Sequence, residues 1–104
     1  MRPKITPDEK SLFEAIMSLE SVQECAAFFE DVCTIKEIQD ISQRYAVAKM
    51  LDSGEKYQSI EAATGASTAT ISRVNKCLAY GSGGYRIAIR KAKNKEREQG
   101  EKAV

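Results

Sequence analysis

The sequence predicts an all-α chain of about six helices that contains a helix-turn-helix. Three observations carry this expectation. Helix-opening pairs, a serine or threonine followed three residues later by glutamate, occur at Thr6/Glu9, Ser21/Glu24 and Thr34/Glu37. Apolar residues recur at three- and four-residue spacing, and strand signals do not repeat. Two short periodic segments flank Gly65-Ala66-Ser67, and a tight glycine turn between two helices is the mark of a helix-turn-helix.

Each element has its own warrant. In T-P-D-E, Thr6 caps, Pro7 takes the first helical position and Glu9 closes the box, so a helix should run to about Leu19. S-V-Q-E opens the second helix, with Val22, Cys25, Ala26, Phe28, Phe29, Val32 and Cys33 at helical spacing. T-I-K-E opens the third, which shows Ile38, Ile41, Tyr45, Ala48 and Leu51 on one side and stops at Gly54, a residue that accepts the left-handed conformation without steric cost. Tyr57 to Thr64 and Thr68 to Leu78 form the paired helices. Gly81-Ser82-Gly83-Gly84 breaks the chain before one more short helix at Tyr85, Ile87, Ala88 and Ile89. From about Lys91 charged and small residues dominate, so residues 95–104 are expected as a disordered tail behind a single domain over 1–94. Phe13, Ile16, Met17, Phe28 and Phe29 suit either a dimerisation bundle or an ordinary intramolecular core, and periodicity does not choose between them.

Composition bounds the function. A chain of 104 residues makes one small domain, marginal alone, so oligomerisation is plausible. No run approaches the roughly 18 apolar residues of a membrane helix, and the N-terminus lacks the apolar core of a secretory signal, which points to the cytoplasm. Cys25, Cys33 and Cys77 form no C-x-x-C pair, and there is no histidine to join them at a metal, so they read as reduced core thiols. Without histidine the usual general base near neutral pH is missing, and neither catalysis nor a cofactor is expected. Charge is uneven: residues 1–66 carry seven Lys or Arg against twelve Asp or Glu, net −5, and residues 67–104 carry nine against three, net +6. A polyanion such as DNA would be drawn to the second part, although a solvated basic tail has the same composition.

The basic part begins with T-G-A-S-T-A-T-I-S-R-V-N-K (64–76), which is crowded with small hydroxyl residues and lacks any acid. Ser67 is placed as an N-cap. Ile71, Val74 and Leu78 make one buried face, which leaves Thr68, Ala69, Thr70, Ser72, Arg73 and Lys76 outward. Such a face suits a major groove: acids would repel phosphates, small residues allow close approach, and hydroxyls can donate to or accept from several bases. Ile60 and Ile71 are placed to pack the two helices together.

The segments F-F-E-D-V-C-T-I-K-E-I-Q (28–39), T-G-A-S-T-A-T-I-S-R-V-N-K and C-L-A-Y-G-S-G-G-Y (77–85), which together span most of residues 10–90, resemble the tryptophan repressor superfamily, and within it the YerC/YecD-type branch. The likeness to the repressor itself lies mainly in A-T-I-S-R and the helix-turn-helix. The resemblance implies an interlaced all-helical homodimer that presents its reading helices to successive major grooves, about 34 Å apart. By position it carries DNA contacts onto Thr68, Ala69, Thr70 and Ser72, with Gln58 on the preceding helix. Gln58 and Glu61 stand where the repressor has basic residues, so the operator must differ. Water-mediated base contacts, as in the repressor, would suit short hydroxyls.

The same resemblance implies an effector site. Allowing one extra residue before Gly54, its positions are Thr34, Arg44 and Arg73. Plain structural roles exist for all three: Thr34 as an N-cap, Arg44 pairing with Asp40, and Arg73 on a phosphate. Val74 replaces a glycine that leaves room for the indole, and Cys77 replaces a serine near the ligand's amino group. Tryptophan is therefore not expected to bind, and a co-repressor, if one is used, should be smaller. The expected function is a homodimeric, sequence-specific transcription regulator on double-stranded DNA, a repressor in type. The alternative is a helical assembly module that binds nucleic acid without sequence preference.

Overall fold

The computed structural model describes residues 4–103, with side chains through residue 100. Among the described residues there are six α-helices and no strand: α1 (Pro7–Met17), α2 (Val22–Val32), α3 (Ile35–Asp52), α4 (Tyr57–Thr64), α5 (Thr68–Tyr80) and α6 (Gly84–Ala103). They fall into two compact units, Met1–Ile41 and Ser42–Val104, where the sequence suggested one domain over 1–94. The first three residues of that expected domain and the last residue of the expected tail lie outside the described residues.

In the first unit the caps follow the sequence closely. The Thr6 hydroxyl accepts the Glu9 N–H at 3.1 Å, and the Glu9 carboxylate accepts the Thr6 N–H at 3.4 Å. The Thr34 and Glu37 pair closes in the same way, at 2.8 and 3.1 Å. Ser21 accepts the Glu24 N–H at 3.0 Å, but the Glu24 carboxylate takes the N–H of Glu20 and not that of Ser21, so this box is only half closed. A carboxylate serves whichever unpaired N–H the approaching turn presents. No residue from 4 to 41 is buried. Met17, Val22 and Ile35 are 83%, 80% and 74% exposed, and Phe28 and Phe29 stack edge to face at 5.6 Å while only half-buried. Full burial of such a side chain contributes roughly 1.5–3 kcal/mol, which the isolated chain leaves unrealised.

The second unit holds the core: Val47 and Ala48 of α3, Ile60 of α4, Ala66 of the turn, Ile71, Val74 and Leu78 of α5, and Ile89 of α6. Gly54 and Gly65 have φ of +82° and +72°, the left-handed turns expected of them. α6 continues to Ala103, through residues that the sequence suggested as a tail. Its last turns consist largely of Lys, Arg, Glu, Gln and Ala, all good helix formers. Extending a helix already started costs far less than nucleating one. Burial of Ile89 and a 3.0 Å ion pair from Lys93 to Asp52 hold the start of α6 against the end of α3.

Candidate nucleic-acid interface

The turn between α4 and α5 is built from local hydrogen bonds. The Gly65 N–H donates to the Glu61 carbonyl at 2.9 Å, and the Thr64 hydroxyl donates to the Ile60 carbonyl at 2.7 Å while accepting the Ala66 N–H at 3.1 Å. From α3, the Gln43 amide donates to the Thr64 carbonyl at 3.1 Å and ties the turn to the rest of the unit. Ile60 and Ile71 are both fully buried, which locks the crossing of the two helices. Ser67 caps α5 by accepting the Thr70 N–H at 3.2 Å.

This anchoring fixes what α5 presents. Ser67, Thr68, Ala69, Ser72, Arg73 and Lys76 are exposed, as is Gln58 in the first turn of α4. Thr70 differs from its neighbours: it is half-buried, its hydroxyl is hydrogen-bonded to that of Ser67 at 3.1 Å, and it lines a cavity instead of the open face. Its place one turn before Val74, about 40° away around the helix, turns it towards the core side. No acid lies on α5. One acid does reach it from α4: the Thr68 hydroxyl is bonded to the Glu61 carboxylate. The positive end of a helix dipole and a hydroxyl donor together suffice to hold a carboxylate there.

The cavity beside Thr70 measures about 180 Å³ and is lined also by Arg44, Arg73, Val74, Cys77 and Tyr85. The structure thus brings Arg44 and Arg73 to one concavity. Thr34 belongs to the first unit, with its hydroxyl and N–H taken up by Glu37. Asp40, the expected partner of Arg44, is instead bound by Lys36 at 3.2 Å. Val74 is 2% exposed and forms part of the cavity wall from the core side. The sequence gives Tyr85 a place in the last helix but no role at a site, and Gln43 gives no signal at all because its role depends on a turn 21 residues away. Among the described residues there is no group of three or more His, Cys, Asp or Glu that could hold a metal, and no helix is long and apolar enough to cross a membrane.

Two short helices crossed at a glycine turn, the second capped and bare of acids on its exposed face, define a helix-turn-helix protein. The model of the family described as Trp repressor protein matches residues 8–93, so the chain belongs to the Trp repressor family. It is 52% identical over 91 residues to the protein YerC of Bacillus subtilis (strain 168), a match that covers 88% of each chain. Among solved structures it is similar to a TrpR-like protein from Eubacterium eligens ATCC 27750, with 52% identity, TM-score 0.81, and 84% of this chain and 90% of that one covered. A solved Staphylococcus aureus structure matches with 45% identity and TM-score 0.82 over 86% of this chain and 89% of that one.

Proposed function

We propose that this protein is a cytoplasmic, homodimeric transcription regulator, a repressor in type, that reads double-stranded DNA through α5. The observation that carries this reading is the exposed, acid-free row of Thr68, Ala69, Ser72, Arg73 and Lys76 on a helix whose opposite face is fixed in the core by Ile71, Val74 and Leu78. Small residues bring the backbone near base edges while Arg73 and Lys76 take phosphates. Ser67 and Thr70 shape the first turn of α5, and Gln58 approaches the groove from α4. Membership of the Trp repressor family supports the same reading. The single folding domain over residues 1–94 is completed, in this view, only when two chains combine.

Selection of bound fragments from genomic DNA tests it. A specific reader should prefer its selected sequence over random duplex by some 10³-fold or more. Binding of all sequences within a few-fold would instead favour an assembly module with non-specific nucleic-acid affinity.

The cavity at Arg44 and Arg73 is the proposed effector site. Ligand sites for drug-sized molecules usually occupy about 300–1,000 Å³, and this cavity, at about 180 Å³ with the Val74 side chain in its wall, favours a small anion over tryptophan. Calorimetric titration with tryptophan should show no micromolar binding. A micromolar dissociation constant, with DNA affinity rising on saturation, would overturn this.

A further inference from the structure

We propose that α6 carries a second contact for the nucleic-acid backbone, separate from the reading helix: a cationic stripe formed by Arg86, Arg90, Lys93 and Arg97. The inference rests on the DNA-binding reading above and adds a surface to it. At about 100° per residue the four side chains fall within an arc of about 60°, and at 1.5 Å rise per residue they extend over about 16 Å. They line a shallow cleft of about 220 Å³ together with Asp52, Ile89 and Asn94. The single carboxylate in that cleft is already bound to Lys93 at 3.0 Å, and Arg86 is oriented by donating its Nε–H to the Leu78 carbonyl at 2.8 Å. Arg90 and Arg97 have no acidic partner among the described residues.

The shape of the array selects its ligand. Cations that serve a compact anion converge on a point, whereas these run in a line along the helix. A linear polyanion matches them, and a duplex passes a phosphate roughly every 3.4 Å of axis on each strand, about four or five over the length of the stripe. A rival occupant of suitable charge exists, since residues 1–41 of a second copy carry nine Asp or Glu against four Lys or Arg. Protein interfaces, however, are depleted of charge at their centre and are built on apolar anchors. The stripe offers none: Ile89 is buried within its own unit, and the exposed Ile87 lies off the arc, 60° or more from each cation by the same rotation.

The test uses the full chain and a random-sequence duplex, with the binding constant followed as a function of salt. In Arg90→Gln/Arg97→Gln the slope of log K against log salt should fall by about 1.8 for each protomer engaged. The loss should be equal on random duplex and on a selected sequence, so that selectivity is unchanged, and Arg90→Lys/Arg97→Lys should restore the slope. An unchanged slope in a variant whose parent binds DNA would overturn the stripe and leave the reading helix standing. A drop in dimer mass or melting temperature with the slope unchanged would assign the stripe to a second copy and overturn it as well. If the parent protein binds no duplex at all, the DNA-binding reading fails and the stripe fails with it.

Discussion

Glu61 places a carboxylate on the Thr68 hydroxyl in the first turn of α5, where an approaching phosphate would otherwise meet only donors. Its charge opposes every duplex alike, so Glu61→Gln should tighten binding to all sequences. Two charges about 4 Å apart in water interact by about 1 kcal/mol, which corresponds to about five-fold in affinity at low salt. Filter binding on operator and random DNA checks this, and no gain on either would show that Glu61 stays clear of the phosphates. Val74 acts at the same scale. Its buried side chain serves the core and the cavity wall together. Val74→Gly should lower stability by about 2 kcal/mol or more, from lost burial and added cavity, and should open room beside Arg44 and Arg73. Weak tryptophan binding gained by the variant and absent from the parent would show that the isopropyl group excludes the ring. If neither protein binds it, the exclusion lies elsewhere in the cavity.

Among the elements, α3 depends on its first turn. The Glu37 carboxyl is held below its ordinary value of 4.5, first by the Thr34 backbone N–H and then by the Thr34 hydroxyl. A group whose pKa is lower in the folded state stabilises it above the unfolded pKa and loses that contribution as pH falls through the folded value. Melting temperature should therefore fall on acidification below about pH 4.5 with a component that Glu37→Gln abolishes, because glutamine still accepts the cap hydrogen bond and does not titrate. Parallel pH–melting curves for parent and variant would remove Glu37 from that account. At the same scale the sequence located α4 and α5 to within two residues, since the Ser67 cap and the glycine turn are local signals. It suggested a shorter last helix than α6, because the charged and small residues from about Lys91 carry no apolar stripe. Helix propensity and one docked turn were enough to continue it.

For the whole molecule, the first unit is decisive. Its helices are well capped, yet they leave Phe13, Met17, Val22, Val32 and Ile35 exposed, and Phe28 and Phe29 are only half covered. An exposed apolar surface of this kind marks an association face. Sedimentation at micromolar concentration should show twice the chain mass. Phe28→Asp should unfold the protein instead of releasing a folded monomer, because a single chain has no closed interior over residues 4–41. A well-folded monomer of either protein would exclude the interlaced dimer.

The sequence alone determined the helical class, the caps, the glycine turn and the outward face of α5, because each of these depends on residues within one or two turns of one another. The effector positions Thr34, Arg44 and Arg73, with Val74 beside them, came only through resemblance. Tertiary structure decided what lies between distant segments: that Gln43 clamps the Thr64 carbonyl, that Tyr85 joins the cavity, that Thr70 turns towards it, and that Asp52 meets Lys93. Periodicity tells which side of a helix is buried but not which neighbour covers it. A polar partner many residues away has no spacing to betray it, and only the packed core fixes that choice.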